Sequence, residues 1–184
     1  PDGRRWGLRF ADAADFLLTP RAIGYHLANP ALAYGVEIWL LGTVFSLWNE
    51  LRGVPALHTA AVAVDGHGVG LLATNKGGKS SLAAALMQAG AALLTDDILM
   101  VERTGDGVLG APSYPQMRMW PDQARHFLGT ADGLPLVVPH LAKRRVAVGP
   151  DGFGRFQDSA VPVTHLFLPE RDPNAPAVRI EPLA

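Results

Sequence analysis

Apolar and polar residues change their spacing several times along the chain, and each change predicts an element. Residues 60–64, "AAVAV", and 69–73, "VGLLA", are short apolar runs on either side of "DGHG", a glycine-rich turn of the kind that joins hairpin strands. Residues 91–95, "AALLT", and 98–102, "ILMVE", read as buried strand segments flanking two aspartates. Between these pairs, Leu82, Ala85, Leu86 and Ala89 recur at helical spacing, and Gly90 marks the end of that helix. "RRWGLRFA", residues 4–11, reads as an edge strand. After residue 103, proline- and glycine-rich connections lead to a short helix at "PDQARHFLG", a basic "AKRR" and a last strand near "VTHLFLP".

Residues 32–48, "LAYGVEIWLLGTVFSLW", form the longest apolar run. Glu37 interrupts it, and it is shorter than the about 20 residues a spanning helix needs. No basic signal-type start precedes it. It reads as a buried core helix that turns polar through "NELRG" and stops at Gly53. No repeat or low-complexity linker is visible, so the expectation is one strand-rich α/β domain over residues 1–184.

Composition narrows this picture. With 48% hydrophobic and 18% charged residues, 184 residues suffice for one domain with a real core. A net charge of −1 argues against a general nucleic-acid binder. The absence of cysteine excludes disulfides and thiolate metal sites, and fits a cytoplasmic protein. The chain opens without methionine and stops soon after an apparent strand, so it is expected to lack terminal segments of a longer protein.

The candidate chemistry lies in "ATNKGGKSS", residues 73–81. A strand, this turn and a helix together make a phosphate-binding loop of Walker A type, with Ala73 where the pattern begins with glycine. Ala73, Thr74, Asn75, Lys76, Gly77, Gly78, Lys79, Ser80 and Ser81 are the expected nucleotide-binding residues. Gly77 and Gly78 permit backbone conformations that aim N–H groups at phosphate oxygens, and the helix adds its dipole. Lys79 would reach the β- and γ-phosphates and Ser80 would ligate Mg2+. Asp96 and Asp97 end the next strand within reach of the phosphates. One carboxylate can serve magnesium and the other can accept a proton, which points to transfer to an alcohol.

Residues 57–97 resemble the catalytic domain of HPr kinase/phosphorylase, a fold related to that of phosphoenolpyruvate carboxykinases. A histidine, a hairpin, the loop, a helix ended by glycine and an Asp-Asp pair follow in the same order without a gap. His58 precedes Lys79 by 21 residues and Asp97 follows it by 18. The resemblance implies that Asp97 is the general base for a serine hydroxyl and that His58 orients or tunes it, with ATP and Mg2+ as cofactors. Arg118 matches the arginine of the family's Glu-x-Arg-Gly signature, which leaves Gln116 in the glutamate's place and Asp96 or Asp122 as a second magnesium ligand. The basic "HLAKRR" implies contacts from Lys143, Arg144 or Arg145 to the substrate or the moving phosphoryl group; Lys143 and Arg144 are the expected substrate residues together with Arg118.

Over residues 40–168, "LHTAAV", the loop, "PQMRMWPD" and "AKRR" resemble the branch of HPr-kinase-like proteins that act on lasso-peptide precursors. That likeness implies an ATP-dependent kinase for a peptide or small protein, with a C-terminal serine of a precursor peptide as acceptor. It implies neither a nucleic-acid nor a membrane partner, and allows a homo-oligomer. The alternatives are a small-metabolite kinase and a regulator that binds nucleotide without transferring phosphate.

Overall fold

The computed structural model describes residues 4–170, 172–174 and 176–183. It is a mixed α/β, strand-rich protein with three sheets, one three-stranded at the amino end, one eight-stranded and one three-stranded near the candidate site.

The amino-terminal sheet pairs β1 (Trp6–Phe10), β2 (Ala14–Leu18) and β3 (Ile23–Leu27) as antiparallel neighbours. β1 is the expected edge strand; β2 and β3 were not anticipated. Alternation places Phe16 and Leu18 on one face, where they pack with Trp39, Val44 and Trp48 of the following helical run. Trp39 stacks on Phe10 at 4.6 Å, and the Trp48 indole N–H donates to the Thr19 carbonyl at 2.7 Å.

That run comprises a short 3-10 turn from Pro30, then α1 (Ala33–Trp39), a wider segment over Leu40–Val44 and α2 (Phe45–Glu50). Gly42 leaves helical geometry within it (φ −100°, ψ −106°), which accounts for the kink. The expected buried helix is only half-buried: of its residues, Gly35, Val44 and Asn49 are buried. The reason is that one small sheet and, at α2, the strands over 56–58 and 98–104 cover only part of its surface. By length and composition alone the run from Pro30 to Glu50 could cross a membrane.

The eight-stranded sheet has the order β13-β7-β5-β6-β14-β9-β8-β4. Its strands are β4 (Ala56–His58), β5 (Ala60–Val64), β6 (His67–Leu71), β7 (Ala92–Thr95), β8 (Ile98–Thr104), β9 (Gly107–Ala111), β13 (Arg155–Phe156) and β14 (Val161–Phe167). β5 and β6 form the expected hairpin across Asp65 and Gly66, whose φ values of 48° and 78° suit the left-handed turn such hairpins need. His67 therefore starts a strand instead of lying in the turn. β14 pairs with β9 through Val161 and Pro162, then with β6 from Val163 onward, so it joins the sheet's two halves. The halves enclose Ala61, Ala63, Leu94, Leu99 and Val161.

On the opposite face of β5, Ala60 and Val62 pack against α3 (Lys79–Gln88). The buried face of α3 is Ala83, Ala84 and Met87. The stripe expected from sequence is corrected: Leu82, Ala85 and Ala89 are exposed and Leu86 is half-buried. In an alanine-rich helix, close approach to the sheet decides which side is buried, because the small residues let the backbones come near. The third sheet, β10 (Gln116–Met119), β12 (Leu141–Ala147) and β11 (Leu136–Val138), packs Met117, Met119 and Val146 into this same core beside α4 (Pro121–Leu128). "AKRR" is thus part of a strand.

Candidate functional site

Two chain crossovers meet at one corner of the eight-stranded sheet. β4 passes to β5 through Thr59, and β7 passes to β8 through Asp96 and Asp97. The Thr59 N–H donates to the Asp97 carbonyl at 3.0 Å, which locks the crossovers together. This brings His58 beside Asp97: Nε2 lies 3.3 Å from Oδ1. His58 is largely exposed.

The loop before α3 lies between β6 and the helix. Lys79 is buried, and its ammonium donates to the carbonyls of Ala73 at 2.7 Å and Thr74 at 3.4 Å. Thr74, Asn75, Lys76, Gly77 and Gly78 are exposed. Gly78 caps the helix in the left-handed region (φ 88°). A Cβ on Gly77 would stand 2.6 Å from the Ala73 Cβ, so the side chain at position 73 is tolerated because position 77 has none.

The two aspartates occupy different environments. Asp96 Oδ2 accepts the Arg118 backbone N–H at 2.8 Å, while Oδ1 is sealed from solvent without a hydrogen-bond partner. Burial pushes its carboxyl up to about 6; the nearby Ser80 hydroxyl, the Arg118 N–H and the charge of Lys143 oppose that shift, and Asp97 adds to it. Asp97 Oδ2 faces Arg118 Nη1 at 3.4 Å, and Arg118 Nη2 donates to the Tyr114 hydroxyl at 3.0 Å. Arg118 therefore touches both aspartates, one through its backbone and one through its side chain.

An orphaned carboxylate oxygen next to a serine hydroxyl is a donor set that suits a hard divalent cation. Ser80 and Asp96 thus fit magnesium. Among the described residues no three His, Cys, Asp or Glu side chains converge on one point.

The remaining expected residues divide. Lys143 reaches Asp96 through its field and lies 6.0 Å from the Trp120 ring centroid. Arg144 pairs in register with Met119, whereas Arg118 pairs with Arg145. Paired positions share a face, so Arg144 stands on the core side of the sheet, away from Arg118, and its Nε is buried without a partner. The Ser81 hydroxyl accepts from the Gln123 amide, which ties α3 to α4. Asp122 is exposed in the first turn of α4.

Sequence reasoning missed Tyr114 and the contact of Arg145 with Glu37. Burial holds the Tyr114 hydroxyl above its usual pKa, in its neutral form. No local pattern announces either residue. A hollow of about 710 Å3 on the amino-terminal sheet, around Arg9, Asp15, Leu17 and His26, includes no residue of the loop or acid pair.

No family model and no curated protein matches the chain. Among solved structures the chain is similar to the HPr(Ser) kinase/phosphatase of Coxiella burnetii, at 22% identity and a TM-score of 0.33. The alignment covers 41% of this chain and 55% of that one, so the chain spans little more than half of that protein's length.

Proposed function

We propose that the protein is an ATP- and magnesium-dependent serine kinase acting on a peptide or small protein, with a lasso-type precursor ending in serine as the favoured acceptor. The observation that carries this reading is Asp97, partly exposed and bracketed by His58 and Arg118, one residue from an aspartate suited to magnesium and next to the glycine loop with its buried lysine.

In this mechanism the loop amides and the dipole of α3 receive the phosphates. Lys79 exchanges the carbonyls of Ala73 and Thr74 for phosphate oxygens. Ser80 and Asp96 would hold magnesium, which would supply positive charge to the phosphates. Asp97 takes the proton of the acceptor serine as its Oγ bonds to the γ-phosphorus and the bond from that phosphorus to the leaving ADP oxygen breaks. His58 steadies the carboxylate through Oδ1. Arg118, which lies 3.4 Å from Oδ2, would share charge with the moving phosphoryl group in this reading. The partner in this reading is a serine-bearing peptide or protein.

The test incubates the protein with magnesium, ATP and a panel of acceptors: serine-ended peptides, a lasso-type precursor and HPr. Mass spectrometry reads the addition of one phosphate. A peptide phosphoserine that Asp97→Asn reduces by about 10²–10⁴-fold, with ATP still bound, supports the reading. Full transfer by Asp97→Asn would remove Asp97 as the base. A second reading, a nucleotide-binding regulator, is favoured by one fact: both Asp97 oxygens already face partners. ATP binding without transfer to any acceptor would select it.

A further inference from the structure

Arg145 stands directly across from Arg118 in the β10–β12 ladder, so both side chains leave the same face of the small sheet. Their partners differ. Arg118 is committed within the site, to Asp97 and Tyr114. Arg145 Nη2 donates to the Val137 carbonyl at 3.1 Å, and Nη1 donates to Glu37 Oε1 at 2.5 Å. Glu37 lies 108 residues away in sequence, on α1, and keeps half of its side chain exposed.

The unit that supplies Glu37 has a hydrophobic core of its own. It meets the rest of the molecule at both ends of its helical run. At one end Glu37 holds Arg145, and Tyr34 meets His140 edge-on at 5.8 Å. At the other, Glu50 Oε1 accepts the Ala56 N–H at 2.7 Å, at the start of the strand that carries His58. The interruption at Gly42 lies between these ends, so they are not parts of one rigid rod.

We infer that Arg145 recognises a carboxylate of the acceptor close to its serine, and that Glu37 occupies this position until the acceptor arrives. The inference rests on the kinase reading and adds the feature by which the acceptor is chosen. A guanidinium pinned on one nitrogen by a backbone carbonyl presents its other edge in a fixed plane, which suits a carboxylate. Exchanging one carboxylate for another leaves no guanidinium unpaired, so displacement of Glu37 avoids the cost of breaking an ion pair. The acceptor's carboxylate has two sources, its chain terminus or an aspartate or glutamate next to the serine.

The test measures fluorescence anisotropy of four labelled peptides on the whole protein, without nucleotide. One ends in serine with a free carboxylate, and the second is its amide. The third and fourth are amidated, with the serine followed by aspartate or by asparagine. Wild type is expected to prefer one or both acid-bearing peptides over their neutral partners, and whichever is preferred identifies the source. R145Q is expected to abolish the preference. E37Q is expected to tighten the acid-bearing peptides by about fivefold and to leave the neutral ones as they were. Raised salt should shrink the preference.

No preference in wild type, a preference that survives R145Q, or an E37Q effect shared equally by acid and neutral peptides overturns the inference. Should R145Q not fold, E37Q decides alone, because Glu37 is half-exposed and its loss opens no cavity. Binding that discriminates by charge, with no phosphoryl transfer, would sink the kinase reading alone. Transfer blind to the acceptor's charge would sink the Arg145 assignment alone.

Discussion

The amino-terminal unit and the loop region fill their interiors differently where helix meets sheet. The first buries large side chains against one another: Phe16, Leu18 and Val44, backed by Trp39 and Trp48. The second sets Ala60, Ala83 and Ala84 at the contact of α3 with β5, surrounds them with Leu71, Leu93, Met117 and Met119, and buries Lys79, Thr59, Thr95 and the Oδ1 atom of Asp96 as well. Small residues let helix and strands approach closely, which sets the loop and the acid pair side by side but yields less transfer energy per residue. Buried charge then subtracts from what remains.

The sharpest way to break that contrast is to open a hole in the first region. Phe16 is 2% exposed, and Phe16→Ala should cost about 3–5 kcal/mol in denaturant unfolding. The affinity of the folded fraction for ATP should stay within about twofold of wild type, as expected for separate sites. A large loss of affinity at a temperature where the variant is folded would show that the two regions are not separable.

Next comes the charge in the second region. A carboxyl raised from 3.8 to about 6 keeps, between those pH values, a proton that the unfolded chain has released. Its contribution to stability is therefore greatest below pH 4, falls as pH rises through 6 and is level above that. The whole span is worth about 3 kcal/mol. Asp96→Asn should remove this contribution to the pH dependence and stabilise the protein at pH 7.5 by up to that amount, while weakening magnesium-dependent ATP binding. Unfolding curves of both proteins at pH 4.5, 6 and 7.5 measure it; a parallel pH dependence in the two would contradict the burial argument.

The smallest effect tests the alanine packing. Ala84 is fully buried between α3 and its neighbours, and Ala84→Leu should cost about 1–3 kcal/mol through overpacking. A neutral result by thermal unfolding would mean that helix and sheet are not in close contact there.

What was legible in the sequence was local. The β5–β6 hairpin showed itself through Asp65 and Gly66, the loop through Gly77, Gly78 and Lys79, and the acid turn through its place between two apolar runs. What escaped was decided at a distance. β2 and β3 carry no strong strand pattern of their own and form because each covers the helical run. The buried face of α3 could not be read because alanine is nearly indifferent to its side. Arg144 and Arg145 are adjacent in sequence, yet strand alternation sends one to the core and the other to Glu37. The environment of Asp96 depends on a backbone N–H 22 residues further on.

The position of β14 sets an order of events in folding. This strand, the last in sequence among the described strands, lies in the middle of the eight-stranded sheet, with β6 on one side and β9 on the other. Until residues 161–167 arrive, β13-β7-β5-β6 and β9-β8-β4 are two partial sheets joined at the Thr59 and Asp96–Asp97 crossovers, and β6 and β9 are open edges. Pairing across so long a stretch of sequence is slow, and open edges invite association with other chains. A chain emerging from the ribosome would form the glycine loop and the β4–β8 pairing that sets His58 beside Asp97 before β14 closes the sheet.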